Sequence, residues 1–266
     1  MSKFVVIVFP SETQAYKGTR ALKELHAEGS LTLYSMAIVQ KDVAGKLALK
    51  DAVDEGPLGA AVGALVGGLA GVIAGPVGLV AGSLGGTLIG SLFDLASYGV
   101  SADFVAKVSS ELTAGKSAVI SEIAEGWSTP LDARMEPLGG AVLRTWRADF
   151  EDDQIAKQIE AEKADWEHLR TEYAQASADA KAKIKTKLDE AKAKLDATKK
   201  KADMRLEALD KELAAKVAAL QQQMATAKAD AKEKITQRIS ALRSDYQTRS
   251  AKLKQAWATA KEALAA

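Results

Sequence analysis

No cysteine occurs in the 266 residues, which excludes disulfides, thiolate nucleophiles, zinc–thiolate centres and iron–sulfur clusters. Histidine is nearly absent too: His26 and His168 are the only two. Each falls on a predicted helix without a second histidine or a metal-spaced carboxylate cluster, so both read as solvated helix residues rather than ligands. The five prolines end at Pro137 and the glycines at Gly140. Nor does one sign of charge dominate, since 36 Lys+Arg face 35 Asp+Glu. Residues 1–150 hold 12 and 15 of these (net −3), leaving 24 and 20 (net +4) for residues 151–266. Neither half is basic enough to make nucleic acid the main partner. The N-terminal apolar run, Phe4–Phe9, stops at Pro10. It is too short for the core of a signal peptide, so synthesis in the cytoplasm without cleavage is expected.

What is present falls into three segments. The first is a split α/β domain over residues 1–55 and 95–147. FVVIVF (Phe4–Phe9) is a continuous β-branched and aromatic run, as in a strand covered on both faces. Ser11 with Gln14 makes a capping-box pattern, and Gly29 closes the helix that follows. Leu31–Gln40 and Lys46–Lys50 read as strands. Ser101 or Asp103 caps a short helix to Leu112, Ser117–Ala124 is a strand, Thr129-Pro130 starts a helix, and Ala141–Arg147 is the last strand. Joined across an insert, the order β-α-β…α-β-α-β predicts an α+β fold, a ferredoxin-like two-layer sandwich.

The second segment, residues 56–94, is the insert. Pro57–Phe93 holds no charged residue in 37 positions, about twice the length of one bilayer span. Gly75-Pro76 marks a hairpin turn at its middle, leaving arms of 19 residues (57–75) and 17 residues (77–93). These would be about 28 and about 25 Å long as helices. Gly59, Gly63, Gly67, Gly71 and Gly75 recur at every fourth position, and Gly78, Gly82, Gly86 and Gly90 repeat the spacing on the second arm. Such rows leave a groove without side chains, into which another backbone can pack closely in lipid. A glycine-zipper helical hairpin in a membrane is the expectation; the rival is a hairpin buried inside a soluble homo-oligomer.

The third segment, residues 148–266, reads as a long charged helix. An apolar stripe recurs at eleven-residue spacing. One row contains Leu169, Leu213, Met224, Ile235, Tyr246 and Trp257; a second, four residues on, contains Tyr173, Ile184, Leu195, Leu206, Val217 and Ile239. Leu209, Leu220, Leu242 and Leu253 complete the seam. Eleven residues in three turns predicts a nearly straight or slightly right-handed supercoil. An uninterrupted rod would reach roughly 170 Å. The leading expectation is an oligomeric coiled coil, ahead of a helix lying on a lipid surface and of a chain folded back on itself.

Several parts of the first two segments resemble one family. They are FVVIVF, the insert GPLGAAVGALVGGLAGVIAGPVGLVAGSLGGTLIGSLFDL, the stretch GVSADFVAKVSSELTAGKSAVI and the closing GGAVLRTWR. Together, over residues 1–147, they are similar to the bacterial domain of unknown function 1269, membrane proteins of uncharacterised role. The resemblance implies a protein of the bacterial cytoplasmic membrane with no assigned catalytic residues; the long C-terminal helix departs from the family's usual short form.

Motifs that would carry chemistry are thin. Gly115-Lys116-Ser117 matches the end of a phosphate-binding loop, yet Ser110 stands where its first glycine belongs, and a strand follows where a helix is needed. Asp51, Asp54, Glu55 and Asp94 read as a solvated collar at the hairpin base, with an acidic ring at a channel mouth as the sharper alternative. Trp127, Trp146, Trp166 and Trp257 are scattered, and only Trp146 lies near enough to the α/β domain to pack there. No catalytic site, cofactor or small-molecule substrate is expected. The function expected is a membrane-associated scaffold that assembles with itself through its glycine rows and projects its long helix. A pore and a soluble stress-type homo-oligomer are the alternatives.

Overall fold

A computed structural model describes residues 2–52, 56–74, 100–147 and 150–265. Five strands build one sheet: β1 (Lys3–Phe9), β2 (Leu31–Lys41), β3 (Leu47–Ala52), β4 (Ser117–Glu125) and β5 (Ala141–Trp146). Their spatial order is β3-β2-β4-β1-β5, and each neighbouring pair is antiparallel. Between them run α1 (Glu12–Ala27), α2 (Pro57–Ala74), α3 (Ala102–Glu111) and α4 (Thr129–Met135). The C-terminal region holds α5 (Phe150–Gln175), α6 (Ala178–Thr226) and α7 (Ala229–Ala265).

The local signals act as their chemistry dictates. Ser11 Oγ accepts the Gln14 N–H at the start of α1, and Ser101 Oγ accepts the Phe104 N–H at the start of α3, each satisfying an orphan donor of a first turn. Gly29 ends α1 at φ +75°, a left-handed conformation that side-chain-bearing residues resist. A β-carbon there would also lie 2.4 Å from that of Ala231.

Because side chains alternate along a strand, the sheet has two apolar faces. Val5, Ile7 and Phe9 pack with α1 (Leu22, Leu25) and α4 (Leu131, Met135). Phe4, Val6 and Val8 pack on the other face with α3 (Phe104, Val105, Val108) and α2. The two-layer expectation is thereby corrected to three layers. A sheet as apolar on both sides as FVVIVF must be covered twice, and the second cover includes the first arm of the insert. From α2, the side chains of Ala61, Val62, Leu65, Val66 and Leu69 are buried in this core.

The chain forms two compact units, residues 1–149 with 212–242, and residues 150–211 with 243–266. The expectation of one unbroken C-terminal rod is corrected as well. The helix stops at Ala176–Ser177 and again at Ala227–Lys228, where backbone N–H groups of the following turn bond back to the Ser177 and Lys228 carbonyls. In the first unit α7 returns antiparallel beside α6, with Thr236 facing Met224. In the second, α5, α6 and α7 make a three-helix bundle. Asp152 of α5 is 2.6 Å from both Arg205 of α6 and Arg249 of α7, and Thr198 of α6 bonds Gln158 and Glu162 of α5. Folding back covers the eleven-residue stripe within one chain. Ile184, Leu195, Leu209, Leu220, Ile235, Leu242, Tyr246 and Leu253 are buried, and the other seam residues are half-buried.

Candidate functional site

The densest chemistry in the first unit is a buried four-charge cluster on the α2/α3 face of the sheet. Glu122 lies near the C-terminal end of β4, between Phe4 of β1 and Ser35 of β2. Alternation within β4 turns it to the same side as Ile120 and Ala118. Its Oε1 lies 2.8 Å from Arg147 Nη1 and 2.6 Å from Lys216 Nζ. Glu212, one turn before Lys216 on α6, closes the ring: Lys216 Nζ is 2.9 Å from its Oε1, which also accepts from Arg147. The side chains of Glu122 and Lys216 are 0% and 1% exposed, so water screens none of these contacts. The Lys216 ammonium also sits 5.1 Å from the centre of the Tyr34 ring.

Burial by itself would raise the pKa of Glu122, but Lys216 and Arg147 outweigh it and hold the carboxyl below its usual value. The same opposition, with burial again the largest single influence, lowers Glu212. For Tyr34, burial and then the charge of Glu122 push the phenol up, so it stays protonated. Such a ring costs desolvation on each ion and returns it only while all four partners are present.

Two further side chains tie the helical hairpin to the sheet. Gln223 Nε2 donates to the carbonyls of His26 and Leu31 (2.6 and 2.7 Å), while its Oε1 accepts from the Thr32 hydroxyl at 2.8 Å. From α7, Arg238 donates to the carbonyls of Gly29 and Ser30, each at 3.1 Å, and to Thr32 Oγ1. These bonds satisfy carbonyls left over where α1 ends. His26 is not the freely solvated residue its sequence setting suggests. Its Nδ1 accepts the Leu33 N–H at 3.1 Å, and burial first, then Arg238, lowers its pKa and keeps the ring a neutral acceptor.

The residues singled out from sequence are placed differently from one another. Gly59, Gly63, Gly67 and Gly71 lie on α2, where Gly67 is buried, Gly59 and Gly71 are half-buried and Gly63 is exposed. A β-carbon on Gly63 would meet nothing within 4 Å. Gly75, Pro76 and the second-arm glycines Gly78, Gly82, Gly86 and Gly90 lie outside the described residues, as do Asp54, Glu55 and Asp94; Asp51 is exposed on β3. Gly115, at φ +86°, donates its N–H to the Lys41 carbonyl in the turn before β4, and Lys116 bonds the Glu111 carbonyl. That segment is a turn, not a phosphate cradle. Trp127 and Trp146 are exposed, with Lys234 and Lys3 over their rings; Trp166 and Trp257 are half-buried.

Two concave sites among the described residues are modest. Ser2, Tyr34, Glu125 and Arg238 line a cavity of about 110 Å³ in the first unit, below the range of ordinary ligand pockets. In the second unit an open groove of about 350 Å³ runs past Glu162, Asp165, His168, Lys187, Glu190 and Lys194. Among the described residues, no group of three or more His, Cys, Asp or Glu is placed to hold a metal ion, and no helix is long and apolar enough to cross a membrane.

Sequence comparison places residues 60–160 under the family model described as "Protein of unknown function (DUF1269)". The segment spans the first arm of the insert, α3, β4, α4, β5 and the start of α5, and it includes Glu122 and Arg147. No curated protein and no solved structure matches the chain.

Proposed function

We propose that this is a membrane-associated scaffold, without a catalytic role, that assembles with further copies of itself through the glycine rows of its insert. The observation that carries the reading is the charge-free stretch Pro57–Phe93 together with the side from which its first arm is held. α2 turns Val62, Leu65, Val66 and Leu69 to the sheet and leaves Gly63 open. At Gly63 a second backbone can approach closely, the geometry that favours helix packing in lipid. The glycine-zipper hairpin at the bacterial cytoplasmic membrane is this reading in its finer form. A ferredoxin-like plan for the α/β part is supported by the chain order β1-α1-β2…β4-α4-β5 and by β4 lying beside β1.

A second reading, a soluble homo-oligomer that hides the insert in its core, is favoured by one observation: Leu65 and Leu69 of the first arm are wholly buried. Two measurements separate them. Carbonate washing of membranes from cells making the full chain retains it in the pellet if the insert is lipid-embedded; recovery wholly in the supernatant would overturn that reading in favour of the second. Gly63→Leu adds a side chain at a position where a β-carbon meets nothing within 4 Å. It leaves helix content unchanged and reduces the mass of the extracted particle. An unaltered mass would rule out assembly through this row.

A further inference from the structure

Arg238 of α7 holds a half-buried guanidinium with no carboxylate partner among the described residues. Its three bonds go to the Thr32 hydroxyl and to the carbonyls of Gly29 and Ser30. Those carbonyls lie where α1 ends and carry only partial charge, so they are capped by the cation without neutralising it. A guanidinium has five N–H donors, and the two left over, on Nε and Nη1, meet no acceptor among the described residues. The neighbouring charges already balance one another. Glu122 and Glu212 are matched by Arg147 and Lys216, and Glu125 and Asp132 by Lys3 and Arg144. Among these groups Arg238 is the charge left over, and burial lowers its pKa, as it does for a cation without a counter-ion.

Arg238 lines the cavity of about 110 Å³ in the first unit. Tyr34 of β2 lines it too and is 4% exposed, yet its hydroxyl has no hydrogen-bond partner among the described residues. Burial and then Glu122 raise the phenol while Arg238 opposes them, so it keeps its proton and is free to donate. Glu125 borders the same space without bringing a charge to it. Alternation along β4 sets Ala124 on the side of Glu122 and the Glu125 side chain on the side of α4, where its Oε1 is 3.1 Å from Lys3 Nζ and 2.8 Å from Arg144 Nε. Ala124, Ala241 and Leu242 add apolar wall, and a surrounding of low dielectric strengthens a polar contact made within it.

We propose that this cavity binds a small oxyanion of the size of phosphate, held by the free N–H donors of Arg238 and by the Tyr34 hydroxyl. A water needs about 10–15 Å³ of such space, so the cavity seats a group of several heavy atoms. It is far below the roughly 300 Å³ at which sites for larger ligands begin, which excludes a nucleotide or a lipid headgroup with its glycerol. Water would satisfy the donors but would leave the half-buried charge unmatched, whereas an oxyanion supplies both acceptors and the opposite sign. The proposal is independent of how the insert is housed.

The test is isothermal titration calorimetry of the full-length chain with inorganic phosphate at fixed ionic strength, which holds screening constant. One site per chain is expected, with a Kd of about 1 mM or tighter, and glycerol 3-phosphate should bind more weakly. Tyr34→Phe removes a hydroxyl that bonds to nothing else in the described chain, so the fold is kept while affinity falls about tenfold or more, as for a lost hydrogen bond to a charged group. Arg238→Lys keeps the charge but not the planar fork and is expected to weaken binding as well; Lys107→Gln, exposed on α3, is expected to change nothing. A second readout locates the ion. Of the five tyrosines, the one whose ring Cζ resonance disappears in Tyr34→Phe should be the one that phosphate shifts. Failure of phosphate, sulfate and nitrate alike to bind would overturn the proposal, as would equal affinity in Tyr34→Phe and wild type. Phosphate binding that leaves the Tyr34 resonance in place would mean an adventitious ion only and defeat it too, and so would glycerol 3-phosphate binding more tightly than phosphate.

Discussion

Glu122 shows how one residue can hold distant stretches of chain together. Its carboxylate meets a guanidinium 25 residues away and an ammonium 94 residues away, all out of contact with water. Removing one cation leaves the carboxylates under-compensated, so Lys216→Met is expected to lower unfolding stability by about 3–5 kcal/mol. Glu122→Gln with Lys216→Met should cost less than the two single losses added, and a urea-denaturation double-mutant cycle measures the difference. The direction of each pKa shift also sets a pH dependence. His26 is lowered by burial and Arg238, so its contribution is complete above the unfolded value near 6.5 and is lost as pH falls below it. Glu122 and Glu212 are lowered by their cations, and their contribution is complete above about pH 4.3 and lost below it. Urea midpoints measured against pH should therefore fall in two stages. His26→Gln, which keeps an acceptor for the Leu33 N–H, is expected to remove the first stage and spare the second; an unchanged upper stage would exclude His26 as its source.

At the scale of elements, the seat of the first insert arm decides what a core substitution does. Leu65 on α2 is wholly buried against the sheet. Leu65→Ala is expected to destabilise the detergent-free protein by about 2–5 kcal/mol, read from the shift in denaturation midpoint, whereas an arm that never rests on the sheet would make the change neutral. The strands and caps were legible because they rest on local chemistry: the β-branched run of β1, the Ser11 and Ser101 hydroxyls, Gly29, and Pro130 at the start of α4. The seat of α2 was not, because a lipid tail and the underside of a sheet select the same apolar side chains. Glu122 was hidden for a related reason, since its partners lie outside the strand that contains it. The helix breaks did leave a trace. ASADAKAKI (176–184) and AKADAKEKI (227–235) repeat one pattern, and each sets an aspartate, Asp179 or Asp230, in the first turn of a new helix, where the dipole favours it. A search for glycine or proline passes over that signal.

For the molecule as a whole, two compact units each have their own charged tie: Glu122 in one, Asp152 in the other. Asp152 is 2% exposed and its two oxygens engage Arg205 and Arg249, so it joins all three helices of the bundle at the start of α5. Asp152→Asn keeps the shape but removes the charge that offsets two guanidinium groups, a loss of about 3 kcal/mol if the pairs are fully desolvated. Native-state hydrogen exchange can locate where that loss falls, because sub-global opening exposes amides in cooperative groups. If the units open separately, Asp152→Asn speeds exchange in α5 and in residues 178–211 while the amides shared by β1 and β4 keep their protection, and Lys216→Met does the converse. α6 and α7 each contribute residues to both units. Uniform acceleration across sheet and bundle in either variant would mean that the two helices transmit the loss and that the chain unfolds as one cooperative body.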